Sequence, residues 1–174
     1  LLNATSAELE ASCRQAYEHA APLVRSLMKL GMEPPASFLI VAELVLRSRL
    51  LHALQAEELN SSQVVEVLEE AKFWQVELNK KELEDVLRQA IEKRAKESRN
   101  NPGDLKSLCT FAAAVDLASK LSFDINYYQT QNIYYELLKN GYPQLKPAAE
   151  NGDKRAALWI EEFKELGKKL SVRI

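Results

Sequence analysis

Apolar residues recur along most of the chain at spacings of three and four, which is the period of an amphipathic α-helix. In residues 79–97 the apolar positions follow the spacing i, i+3, i+4, i+7, i+8, and the opposite side is charged. No alternation of apolar and polar residues continues for more than about five positions, so the pattern does not indicate strands. The sequence therefore predicts an all-α fold, an irregular bundle of about seven or eight helices.

One predicted helix, about 36–58, differs from the others. Its apolar residues cover nearly the whole circumference at 100° per residue, and Pro34 and Pro35 precede it. A helix that is apolar all round is normally buried. We therefore predict that the bundle is arranged around this central helix.

Breaker and capping residues mark the other helix ends. The run Asn60-Ser-Ser62 is predicted to begin a third helix, Asn101 to cap a fifth helix with Pro102 at its first position, and Asp124 to cap a sixth. The strongest breaker is the run Asn100-Asn-Pro-Gly103. We interpret residues 1–174 as a single helical domain with a possible sub-boundary near 99–103.

Charge and composition exclude several classes of protein. The 174 residues contain 23 Lys and Arg against 25 Asp and Glu, so the basic excess typical of nucleic-acid binders is missing. The basic stretch Arg88–Arg99 includes acids and is interpreted as a solvated helix face. No apolar run approaches the roughly 20 residues of a membrane span. We expect no nucleic-acid or membrane partner.

The two cysteines and the ends of the chain suggest its setting. Two cysteines without a CxxC pair are typical of a reducing compartment, so we expect a cytoplasmic location. The chain starts with Leu1-Leu2 and has no initiator methionine. We interpret it as a fragment from the C-terminus of a longer chain.

Residues suited to catalysis or metal binding are few. Cys13 and His19 lie six positions apart on one helix, about 120° apart around its axis, and so cannot bind one ion together. The chain has neither a glycine-rich phosphate loop nor a Gly-x-Ser-x-Gly turn. We therefore predict no metal, no cofactor and no catalytic residue.

Four charged residues stand within apolar surroundings. Glu43 and Arg47 are spaced i, i+4 on the apolar helix, and Asp116 and Lys120 share that spacing on the fifth helix. Because an isolated buried charge is costly, we expect structural polar anchors: an internal ion pair of Glu43 with Arg47, and for Asp116 either a salt bridge to Lys120 or a buried hydrogen bond. For Glu43 and Arg47 the alternative is a polar patch that faces an absent partner domain.

The sixth helix is rich in tyrosine. A tyrosine can bury its ring and keep its hydroxyl in water, so these residues suit a partly hydrated interface. One interpretation is core packing with phenols that reach the surface. The other is a docking or carbohydrate-contact surface. The candidates are Tyr127, Tyr128, Gln131, Tyr134 and Tyr135.

The run Leu121–Leu138 and the ending Tyr142–Ile174 resemble a C-terminal helical domain of unknown function found in large bacterial proteins. Phe38–Leu54 is similar to an upstream part of the same region. Those proteins resemble glycoside hydrolase family 57, the α-amylase and α-mannosidase-like enzymes, and carry a (β/α) barrel near the N-terminus. No barrel motif is present in this chain, so the resemblance assigns no catalytic residue to it.

The resemblance implies a non-catalytic accessory domain. Its partner would be the N-terminal catalytic domain of the same parent chain, a glycoside hydrolase or glucanotransferase-like enzyme. The domain would pack on that barrel, shape one wall of its cleft and contact carbohydrate. The alternative is a helical protein–protein interaction or dimerisation module. An independent helical enzyme lacks support, because no convergent polar site is recognisable.

Overall fold

The computed structural model describes residues 2–172, with the side chains of residues 6–172. These residues form eight α-helices and no strand, which confirms the predicted all-α bundle. The helices are α1 (Leu2–Lys29), α2 (Ala36–Gln55), α3 (Ser61–Phe73), α4 (Lys80–Asn100), α5 (Leu105–Lys120), α6 (Tyr128–Asn140), α7 (Tyr142–Glu150) and α8 (Lys154–Lys169).

The chain divides into two compact units. The first contains the residues up to Ala53 together with Asn60–Asn79, and the second contains Leu54–Leu59 together with the residues from Lys80 onward. The predicted breaker at 99–103 lies within the second unit, where it connects α4 to α5.

An aromatic cluster forms the core of the first unit. The ring of Tyr17 in α1 stacks on Phe38 of α2, with ring centroids 5.7 Å apart. Phe38 in turn meets the edge of Trp74, directly after α3, at 4.8 Å. All three side chains are buried. Since the three rings come from three parts of the chain, their contacts join the helices of this unit.

Helix α2 is only partly buried. It ends at Gln55, short of the predicted end near Glu58. Leu46 is fully buried, but the side chain of Ile40 is 69% exposed and that of Leu44 is 39% exposed. The expectation of a helix buried all round is therefore wrong, because one apolar face of α2 lies at the surface.

The second unit is a bundle of five helices. Helix α4 packs on α5 and α6, α5 packs on α8, and α7 packs on α6 and α8. Its largest fully buried side chains include Phe111, Tyr134, Trp159 and Phe163. The apolar stripe predicted for α4 is confirmed by the burial of Leu83, Leu87, Ala90 and Ile91.

The helix caps agree with the sequence in part. Helix α3 begins at Ser61, within the predicted run, and the side chain of Asn60 accepts hydrogen bonds from two of its backbone N–H groups. The cap of α5 is Asp104 and not Asn101, because α4 continues to Asn100 and Gly103 then turns the chain at φ +95°. Asp124 does not cap α6, which begins four residues later at Tyr128.

Candidate functional site

Helix α6 is fixed to α8 through Tyr134. The Tyr134 hydroxyl donates a hydrogen bond to the carbonyl oxygen of Phe163 at 2.9 Å. The two rings are stacked, with centroids 4.2 Å apart and planes 6° from parallel. Burial raises the pKa of Tyr134 above its ordinary value. Because the side chain is fully buried, Tyr134 is a core residue, in line with the first of the two interpretations drawn from the sequence.

Gln131 makes a second attachment of α6. Its side-chain Nε2 donates to the carbonyl oxygen of Leu170, just beyond α8, at 2.8 Å. This bond provides the partner that a half-covered amide requires. Gln131 and Tyr134 therefore hold α6 in place.

The remaining tyrosines of α6 face outward to different degrees. Tyr127 is half-buried, and burial raises the pKa of its phenol. Tyr128 is 69% exposed and Tyr135 is 44% exposed. These two residues lie seven positions apart, on the same side of α6 and about 10 Å apart along its axis.

Asn132 lies between Tyr128 and Tyr135 on that side and is also exposed. We call Tyr128, Asn132 and Tyr135 the α6 outer face. Sequence analysis did not select Asn132, although its i+4 spacing from Tyr128 places it on this side of the helix. The structure thus divides the five candidate contact residues into the buried Tyr134, the half-buried Gln131 and Tyr127, and the exposed pair Tyr128 and Tyr135.

The predicted polar anchors are arranged differently from the expectation. Glu43 and Arg47 are both exposed on α2, so they are not the buried charges that the sequence indicated. Asp116 pairs with Lys169 of α8, with the carboxylate oxygen and Nζ 2.8 Å apart, and not with Lys120. The i+4 spacing suggested Lys120, but the packing of α5 against α8 brings Lys169 to the carboxylate.

A carboxylate network in the first unit was not predicted. The indole Nε1 of Trp74 donates to the hydroxyl of Tyr17 at 2.7 Å, and that hydroxyl donates to Glu70 at 2.7 Å. Arg49 donates to the other oxygen of Glu70 at 3.0 Å. Burial, followed by the hydrogen bond to Glu70, raises the pKa of Tyr17. Each of these three hydrogen bonds joins residues that are 21 or more positions apart, so no local pattern indicates it.

A cleft of about 330 Å³ in the second unit was also missed. It is lined by residues 55–58, by the last turns of α4 and by residues 101–110. Arg94 is the one buried residue among those that line it, and its side chain is 4% exposed. The interpretation of residues 88–99 as a solvated face is therefore wrong at Arg94. Arg94 follows Leu87 and Ile91 at i+7 and i+3, which is the signal that places it on the buried stripe.

No three His, Cys, Asp or Glu side chains within residues 6–172 are grouped as a metal site would require. In residues 2–172 no helix has the length and apolarity needed to cross a membrane. Comparison of the chain with protein-family models, with curated proteins and with solved structures gives no match.

Proposed function

We propose that this chain is a non-catalytic helical accessory domain of a bacterial, cytoplasmic protein similar to glycoside hydrolase family 57. Its partner is the catalytic barrel of the same parent chain, and its accessible aromatic side chains contact carbohydrate at or near the cleft of that barrel. The resemblance of residues 121–138 and 142–174 to the C-terminal region of such proteins supports this proposal.

The observation that carries the proposal is the α6 outer face, which lies within the run that bears the resemblance. Tyr128 and Tyr135 expose two aromatic rings on one side of a helix. Their neighbours Gln131 and Tyr134 fix that helix on α8. A ring with a polar tip, held on a rigid element, can stack on an apolar sugar face and hydrogen-bond a hydroxyl at low entropic cost.

Carbohydrate contact is tested by affinity electrophoresis in native gels that contain soluble starch or glycogen. Tyr128→Ala combined with Tyr135→Ala is expected to abolish the retardation of the chain. The matched control is Leu158→Ala, which removes another exposed apolar side chain of the second unit and is expected to retain it. Equal retardation of the double variant and the parent chain would count against the α6 outer face.

The accessory role is tested by activity. The chain alone is expected to show no turnover of starch, glycogen or aryl glycosides, and turnover would contradict the non-catalytic role. In the parent protein, the change of Tyr128 and Tyr135 is expected to raise KM for starch and to leave hydrolysis of a small aryl glycoside unchanged. The coding sequence upstream is expected to encode a barrel with two acidic residues at strand ends.

A second candidate function is self-association. Ile40 and Leu44 are exposed on successive turns of α2, and such neighbouring apolar side chains are typical of docking surfaces. If this face forms a dimer, sedimentation equilibrium will give a mass that rises with protein concentration, and Ile40→Glu will return it to that of one chain. Leu23→Glu, on exposed α1 surface, is the control. A concentration-independent mass of one chain excludes this candidate.

A further inference from the structure

The residues that line the cleft of the second unit are almost all of polar or charged type. Eleven of its twelve lining residues carry a polar or charged side chain, Ala56 being the exception. Four are carboxylates and three are basic, so neither sign dominates. Its volume of about 330 Å³ is at the small end of ligand pockets, which are usually apolar. A ligand that fits it is therefore small and carries several hydrogen-bonding groups beside an apolar surface.

Arg94 at the inner wall of this cleft is incompletely satisfied. Nη1 donates to Ala90 O at 3.0 Å, and Nη2 donates to the carbonyl oxygens of Ala56 and Glu57. These bonds use three of the five guanidinium donors, and the buried Nε has no partner. Burial lowers the pKa of Arg94, a sign that the protein offsets its charge only in part.

The charges at the rim of the cleft are already partnered. Lys106 forms an ion pair with Glu58 at 3.3 Å, and Lys93 forms one with Glu97 at 4.0 Å. An anionic ligand would meet the carboxylates of both pairs, and a cationic ligand would meet both lysines and Arg94. A neutral ligand avoids this repulsion.

The hydroxyl groups of a ligand would complement the remaining polar side chains of the cleft. The hydroxyls of Ser107 and Thr110 donate to backbone carbonyls, so their oxygens remain as acceptors. Gln55 at the other side has both a donor and an acceptor. A hydroxyl donates and accepts at once, so a ring that bears several hydroxyls can satisfy both kinds of group.

We propose that this cleft binds a neutral polyhydroxylated ligand, a sugar or polyol, which hydrogen-bonds to the side chains of Gln55, Ser107 and Thr110, with the buried Arg94 behind them. The site contains no residue of the α6 outer face and does not depend on the accessory role proposed above.

The test is a titration of the isotopically labelled chain with glucose, maltose and sorbitol, followed by amide chemical shifts. Gln55→Ala with Thr110→Val removes two side-chain contacts from the cleft and leaves the bonds of Arg94 in place. Gln89→Ala with Ser119→Ala is the matched control, on exposed positions of α4 and α5 outside the cleft. Inorganic phosphate and glutamate are titrated in parallel.

Shifts at residues 55–58, 93–97 and 101–110 are expected with at least one neutral ligand. The cleft variant is expected to bind it about tenfold more weakly, and the control with unchanged affinity. Absence of shifts with all three neutral ligands overturns the proposal, as does tighter binding of phosphate or glutamate in the cleft. Shifts confined to α6 also overturn it, while they support carbohydrate contact at the α6 outer face.

Discussion

Tyr134 and Phe163 are joined twice, by parallel rings with centroids 4.2 Å apart and by a hydrogen bond from the phenol of Tyr134 to the carbonyl oxygen of Phe163. The ring provides the stacking and the hydroxyl provides the hydrogen bond, so a substitution that removes only the hydroxyl separates the two contributions. This double contact explains why the most buried tyrosine of α6 is unsuited to a ligand surface. It also orients the α6 outer face.

Tyr134→Phe is expected to lower the free energy of unfolding of the second unit by about 1 kcal/mol, because it removes the hydrogen bond and keeps the ring. The loss is modest, since the carbonyl of Phe163 also lies within the backbone hydrogen bonding of α8. Urea unfolding followed by Trp159 fluorescence in a Trp74→Phe background measures this unit, because the chain has one tryptophan in each unit.

Tyr135→Phe is the control for that experiment. Tyr135 is exposed, so removal of its hydroxyl is expected to change stability by less than about 0.5 kcal/mol. Equal losses for Tyr134→Phe and Tyr135→Phe would contradict the assigned role of the buried phenol.

Stability at high pH depends on Tyr17. Burial and the hydrogen bond to Glu70 raise its pKa in the folded chain, whereas the phenol ionises at its ordinary value near 10 in the unfolded chain. Above about pH 10 the unfolded chain therefore binds fewer protons than the folded chain, and the free energy of unfolding falls as pH rises. Below that pH the stabilisation that Tyr17 provides is complete. Above it the free energy of unfolding falls by up to about 1.4 kcal/mol per pH unit.

Tyr17→Phe is expected to remove this slope. Urea unfolding followed by Trp74 fluorescence in a Trp159→Phe background, at about pH 8 and about pH 11, measures the difference between the variant and the parent chain. At the lower pH the variant is expected to be less stable than the parent chain. Between the lower and the higher pH its free energy of unfolding is expected to fall by less than that of the parent. The same loss for both proteins would show that Tyr17 ionises normally.

The ion pair between Asp116 and Lys169 is expected to show coupling in a double-mutant cycle with Asp116→Asn and Lys169→Met. Both groups are partly exposed, so the coupling is expected to be at most about 1 kcal/mol and to decline in about 1 M salt. The parallel cycle with Lys120→Met is expected to show less. Stronger coupling of Asp116 to Lys120 than to Lys169 would contradict the observed pair and support the pairing that the sequence suggested.

Features of the fold that depend on local sequence were predictable. The stripe of α4 follows from the spacing of Leu83, Leu87 and Ile91, and the start of α3 follows from Asn60. In both cases the residues that determine the structure lie within a few positions of each other. Periodicity and capping are local properties, so a single sequence contains them.

Features that depend on tertiary contacts were not predictable in the same way. Asp116 had a basic residue at i+4, and only the packing of α5 on α8 selects Lys169. Tyr134 and Tyr135 are adjacent in sequence, yet one is fully buried and the other is 44% exposed. The exposed stripe of α2 could not be recognised, because apolar residues on every side leave the buried face undefined.

The start of α5 offers a direct comparison between the predicted cap and the observed cap. The side chain of Asp104 accepts from the N–H of Ser107 at 3.0 Å and also approaches Arg155 at 3.5 Å. Asp104→Ala is expected to cost about 1 kcal/mol of the unfolding free energy of the second unit, the usual value for a lost N-cap. Asp104→Asn keeps an acceptor and is expected to lose less, which separates capping from the weak contact with Arg155. Asn101→Ala is expected to have a smaller effect than Asp104→Ala, because Asn101 lies before the helix. Urea unfolding followed by Trp159 fluorescence in the Trp74→Phe background measures all three variants. A larger loss of unfolding free energy for Asn101→Ala than for Asp104→Ala would show that Asn101 is the cap, as the sequence indicated.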